Sequence, residues 1–215
     1  MTLDLNRQES YSILLLLAFY LSGVLIIGSG HFPDFILLTP LNLLVSIGVV
    51  LWNHPQWSAA TWGVLLLSFA VGFGVEIIGI NTGLIFGEYA YGPVLGWKIL
   101  GTPPMIGINW ALLTYCIGCT VNALLPQWSW PLRAAISASV MVLLDYFIEP
   151  VAIFYDMWTW TAPEVPLQNY LAWFVISWIL LAVFHYLQGW IKNKVAYCLL
   201  IMQFLFFWAL GQIIA

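Results

Sequence analysis

Seven long apolar runs divide this chain, and they constrain its fold more than any other feature. They lie at about Tyr11–Ile27, Phe35–Trp52, Ala59–Ile80, Pro104–Leu125, Leu132–Met157, Leu167–Gln188 and Val195–Ile214. A helix needs about 20 apolar residues to cross the hydrocarbon core of a bilayer. The runs lack the period-2 alternation of an outer-membrane barrel strand. Only 7% of the 215 residues are charged, where water-soluble domains carry roughly a quarter. The expectation is an all-α, polytopic membrane bundle of about seven helices, one integral-membrane domain over 1–215, lying in the lipid bilayer. With no basic surface, nucleic acid is excluded as a partner.

The first run is preceded by Arg7 and Glu9 and followed by no small-residue cleavage site. It therefore reads as a retained helix and not a signal peptide. Lysine and arginine in short loops set orientation. With the N-terminus inside, Arg7, Arg133, Lys192 and Lys194 fall on the cytoplasmic side and Lys98 falls outside. The expectation is a multi-pass protein of the cytoplasmic (inner) membrane, N-terminus in and C-terminus out.

Acidic residues inside such runs are costly and mark functional sites. Glu76 lies in the third run, with Gly72, Gly79 and Gly83 at helical spacing on its face. Small residues there let a neighbouring helix or a slim ligand approach the backbone. The bland alternative is a packing seam around a structural glutamate. The connection after it is long and rich in Gly and Tyr, which is more often functional than idle.

The fifth run reads DYFIEPVAIFYD and carries a second acidic cluster. Asp145, Glu149 and Asp156 share a helical face at spacings of four and seven. Pro150 frees the carbonyl of Tyr146. Two carboxyls one turn apart repel if both are ionised, so the Asp145–Glu149 pair is expected to share a proton. Such a pair can act as a general acid beside a base. Hydrogen bonds to Lys98 or to tyrosines are the competing explanation. Asp156 reads as a solvated end residue.

Aromatic residues crowd the same region: Tyr89, Tyr91, Trp97, Trp110, Tyr146, Phe147, Phe154, Tyr155, Trp158 and Trp160. An interfacial belt explains many of them, Trp158 and Trp160 above all. Others can line a pocket for a flat apolar ligand and hold a carbocation against their ring faces. Cys116 and Cys119 form a C-x-x-C within an apolar run and read as small packing residues. His31, His54 and His185 have no ligand spacing, so no metal is expected. These residues by themselves reach acid–base chemistry on a lipid-soluble substrate, or proton-coupled transport.

Glu76-x-x-Gly79-x-x-Thr82-Gly83-x-x-Phe86-Gly87-x-Tyr89-x-Tyr91, followed by Gly101-x-Pro103, resembles the signature of a membrane family of carotenoid biosynthesis proteins. That family includes bacterial carotenoid 1′,2′-hydratases and haloarchaeal bisanhydrobacterioruberin hydratases. Asp145-x-x-x-Glu149-Pro150 and the aromatic Tyr155–Trp160 turn look like its second block. The resemblance runs from Gly72 to Trp160 and, in helix number and size, over the whole chain. It implies addition of water to the terminal C1=C2 bond of an acyclic ψ-end, as in γ-carotene or lycopene, without a cofactor. Its partners would be a hydrophobic carotenoid, water and other carotenoid enzymes.

The residues expected to serve this chemistry are Asp145 or Glu149 as acid and Glu76 as the water-positioning base. Tyr89 and Tyr91 would orient them, and Thr82, Phe86, Asn109, Trp110, Tyr146 and Tyr155 would complete the substrate site. A lycopene-cyclase-like enzyme would form the same cation and capture it with an internal double bond. Such a site must exclude water, and the polar Asn81, Thr82 and Asn109 tilt the reading towards hydration. A carotenoid-binding protein or a proton-coupled transporter is the alternative of a different class.

Overall fold

A computed structural model describes residues 5–188 and 191–215. Seven helices long and apolar enough to cross a membrane account for most of them. They are α1 (Arg7–Gly28), α2 (Thr39–Trp52, which spans only together with the 3-10 turn Pro33–Leu38 before it), α3 (Ala59–Thr82), α4 (Pro104–Leu124), α5 (Trp130–Phe154), α6 (Leu167–Leu187) and α7 (Lys194–Ile214). The helix boundaries lie within a few residues of those read from the apolar runs.

Local chemistry fixes the helix ends. Asn6 and Glu9 form a reciprocal capping box on α1. Ser58 and Asn193 accept from backbone N–H groups in the first turns of α3 and α7. Proline lies in the first turn of α4 and of α5, where a missing N–H costs nothing. α3 stops at Gly83, whose φ of 67° suits a residue without Cβ.

α4 is the central post. Most of it is buried, and it packs on α2, α3, α5, α6 and α7. Cys116 and Cys119 are fully buried within it and carry no disulfide. The outer helices turn leucines and isoleucines outward, among them Leu14, Leu66 and Ile201. That is the surface hydrocarbon requires.

The connections after α3 and α5 meet across one end of the bundle. Strand β1 (Tyr89–Tyr91) pairs antiparallel with β2 (Trp158–Trp160), with Tyr89 opposite Trp160 and Tyr91 opposite Trp158. Gly92 N–H to Met157 O and Thr161 N–H to Glu88 O, both 2.9 Å, extend the ladder. The fifth apolar run extends to Met157. The helix ends at Phe154 because Asp156, at a φ of 53°, turns the chain into β2. Asp156 therefore leaves the face it was expected to share with Asp145 and Glu149, and it is exposed.

Candidate active site

Glu76 lies six residues before the end of α3, about 9 Å inward at the helical rise of 1.5 Å per residue. It is 3% exposed. Its Oε2 accepts from Tyr89 OH at 2.5 Å and Tyr91 OH at 2.7 Å, and its Oε1 accepts from Trp110 Nε1 at 3.2 Å. Both tyrosines come from β1, where residues two apart share a face. Burial, then the neighbouring Glu76 charge, raises both phenols above their ordinary range. They remain protonated donors. Trp110 approaches because Gly72 has no side chain: a Cβ there would meet Trp110 Cγ at 2.2 Å. Trp110 in turn stacks on Trp173 of α6, centroids 4.0 Å apart.

Glu149 repeats this pattern with different donors. Its Oε2 accepts from Trp158 Nε1 at 2.9 Å and Trp160 Nε1 at 3.0 Å, and its Oε1 accepts from Asn169 Nδ2 at 3.3 Å. Asp145, one turn away and also 3% exposed, accepts from Asn169 Nδ2, at 2.9 Å to Oδ2, and from no other described residue. Two buried carboxylates thus hold three donors each, and the aspartate between them holds one. A carboxylate that accepts several N–H or O–H bonds is stabilised as the anion. Asp145 Oδ1 meets no donor among the described residues.

The three acids line one cavity of about 30 Å³, enclosed by Phe86, Tyr89, Tyr91, Ile106, Asn109, Ile148, Trp158, Trp160, Asn169 and Trp173. A cavity this small has room for about one or two waters. Beside it runs an apolar groove of about 340 Å³, bounded by α1, the 3-10 turn, α2, α4, α5 and α7. Ile106, Asn109, Ile148 and Trp158 line both spaces.

Of the residues expected from sequence, Glu76, Phe86, Tyr89, Tyr91, Asn109, Asp145 and Glu149 come together here, with Trp110 behind Glu76. Thr82, Tyr146 and Tyr155 do not line the cavity. Thr82 is exposed and donates to Ile78 O at 2.6 Å. Tyr146 is 60% exposed, turned away from Asp145 around the helix. Tyr155 lies beyond the end of α5, with its hydroxyl 3.5 Å from Ile27 O. Lys98 donates to the Tyr91 carbonyl and to none of the acids.

Asn169 and Trp173 line the cavity although nothing in the sequence singles them out, and Trp158 and Trp160 line it where a lipid belt is the expectation. The W-x-W spacing was the available signal for the tryptophans, because it puts both indoles on one strand face, as Y-x-Y does for the tyrosines. Among the described residues no three His, Cys, Asp or Glu side chains form a metal-ligand group.

The carotenoid biosynthesis protein family model matches residues 36–215, which include all seven of the converging residues. The chain belongs to this family. As a carotenoid biosynthesis protein it is also similar to the bisanhydrobacterioruberin hydratase of Haloarcula japonica, 26% identical over 125 residues. The match covers 53% of this chain and 41% of that protein, so the chain spans under half the length of this relative. No solved structure matches. Family and fold together make the chain a carotenoid biosynthesis family protein with seven described helices long and apolar enough to cross a membrane.

Proposed function

We propose that this protein is a carotenoid hydratase that adds water to the terminal C1=C2 double bond of an acyclic ψ-end. The single observation that carries the reading is the shared wall between an apolar groove and a water-sized cavity holding three buried acids. The groove takes the last stretch of the isoprenoid chain and brings its terminal double bond to the acids.

Asp145 is the general acid, because it meets the fewest donors and so keeps its proton most readily. Its proton goes to C2, and the double-bond electrons form the new C–H bond, leaving a tertiary cation at C1. Glu76 and Glu149 flank the cation as fixed negative charges, which stabilise positive charge where it develops. The ring faces of Tyr89, Trp158 and Trp160 add cation–π attraction. Glu76 positions the water that attacks C1 and takes its proton. That proton returns to Asp145 before the next turnover. The reaction moves no electrons between substrate and enzyme, so it requires no redox cofactor. The enzyme would act in the cytoplasmic membrane on substrate received from other carotenoid enzymes.

Expression in a host that accumulates lycopene or γ-carotene tests this. The expected pigment is heavier by one water and bears a tertiary hydroxyl. A ring-closed pigment of unchanged mass would make the protein a cyclase. Unchanged pigment beside well-expressed protein would leave carotenoid binding or transport.

A further inference from the structure

A tertiary cation has three fates: capture by water, ring closure onto an internal double bond, or loss of a proton back to an alkene. Three polar residues near Glu76 were candidates for holding water, and the structure separates them. Asn81 donates to the backbone carbonyls of Ile77 and Leu100 at 2.8 and 3.0 Å and is exposed. Thr82 is likewise bonded to Ile78 O and exposed. Neither lines the cavity.

Asn109 differs. It lies on α4 three residues after Ile106, so the two share a face. Both line the groove and the acid cavity. Its amide makes no hydrogen bond to any described residue. The other residues of the shared wall are Ile106, Ile148 and Trp158, and the Trp158 N–H is already given to Glu149. At the junction where C1 must lie, Asn109 is therefore the one polar group with both a donor and an acceptor unengaged.

Resting on the hydration reading above, we propose that Asn109 holds the attacking water and thereby decides the product. Its amide and Glu76 together orient the water lone pair towards C1. With that water held, capture outruns ring closure and proton loss. Without it, Asp145 still protonates C2, but the cation returns a proton to a carboxylate or closes onto the chain. Each fate balances: the proton lost from the cation replaces the one Asp145 gave, and no other reactant is needed.

The test is conversion of the ψ-end substrate in D2O by membranes carrying the wild-type chain, Asn109→Leu, Asn109→Ser or Asp145→Asn. Deuteron addition followed by proton loss leaves deuterium in recovered alkene, so exchange reports cation formation independently of water capture. Alcohol formation by Asn109→Leu is expected to fall about 100-fold, the scale of losing one positioning contact to a reacting group. Deuterium still enters its recovered substrate, or an isomer of unchanged mass appears. Asn109→Ser, with a hydroxyl and room for a second water, recovers alcohol to within about tenfold of wild type. Asp145→Asn loses alcohol and exchange together.

The proposal is overturned if both Asn109 variants lose alcohol and exchange in parallel, or if Asn109→Leu makes alcohol at the wild-type rate. A wild-type chain that neither forms alcohol nor exchanges deuterium removes the hydration reading itself. That failure is distinct from a variant-specific one.

Discussion

Tyr89 and Trp160 face each other across the β1–β2 pair, ring centroids 5.0 Å apart, and donate to different acids. Tyr89 holds Glu76 of α3, and Trp160 holds Glu149 of α5. The next pair, Tyr91 opposite Trp158, repeats the division. Two three-residue strands thus carry four of the six donors on the flanking carboxylates. A short antiparallel pair has little stability of its own. Here the buried charge-assisted bonds and the helices beneath it hold it in place.

The tyrosines give the first prediction. Each bond to Glu76 Oε2 is of the charge-assisted kind, worth about 1.5–3 kcal/mol. Tyr89→Phe and Tyr91→Phe are each expected to slow alcohol formation by about tenfold or more. Because both donors share one oxygen, the double variant should depart from additivity. Initial rates of the three variants check this.

Asn169 gives the second. One amide nitrogen serves both Asp145 and Glu149. Asn169→Leu removes a donor from each acid, whereas Asn169→Asp adds a third carboxyl beside the pair. The aspartate variant is expected to be the less active of the two, because like-charge repulsion compounds the lost bonds. Ranking both against wild type at equal protein level decides it.

Gly72 gives a prediction on stability. Any side chain there collides with Trp110, which carries the third bond to Glu76 and the stack on Trp173. Gly72→Ala should cost about 1–3 kcal/mol, as overpacking does. The thermal midpoint in detergent is expected to fall, and activity with it.

Orientation is the fourth. With Arg7, Arg133, Lys192 and Lys194 on the inner side, a reporter fused after Ala215 should appear outside the cytoplasm. A cytoplasmic signal would reverse the expectation that the N-terminus lies in and the C-terminus out.

The helices were legible because each is a continuous apolar run, so nothing distant is needed to see it. Glu76, Asp145 and Glu149 were legible because a carboxyl in such a run stands out. The strand pair was not, since three residues on each side acquire meaning only when chain segments some seventy positions apart meet. Asn169 was hidden in the first helical turn, where asparagine ordinarily reads as local backbone chemistry. Tyr146 counts among the aromatics that crowd this region of the sequence, yet successive helical residues point about 100° apart, and beside the buried Asp145 it faces outward. Thr82 belonged to a recognisable motif, but its hydroxyl closes the last turn of α3 and not the site.

The most direct test of the central claim is mass analysis of pigment formed in D2O enriched in oxygen-18, by the wild-type chain and by Asp145→Asn, Glu149→Gln and Glu76→Gln. The wild type is expected to add one deuterium at C2 and one labelled oxygen at C1. Asp145→Asn is expected to form no alcohol above about one part in a hundred, the lower bound for losing a general acid. Undiminished alcohol from Asp145→Asn, with activity lost in Glu149→Gln, would contradict the assignment of the acid. Label arriving at neither carbon in the wild type would contradict hydration.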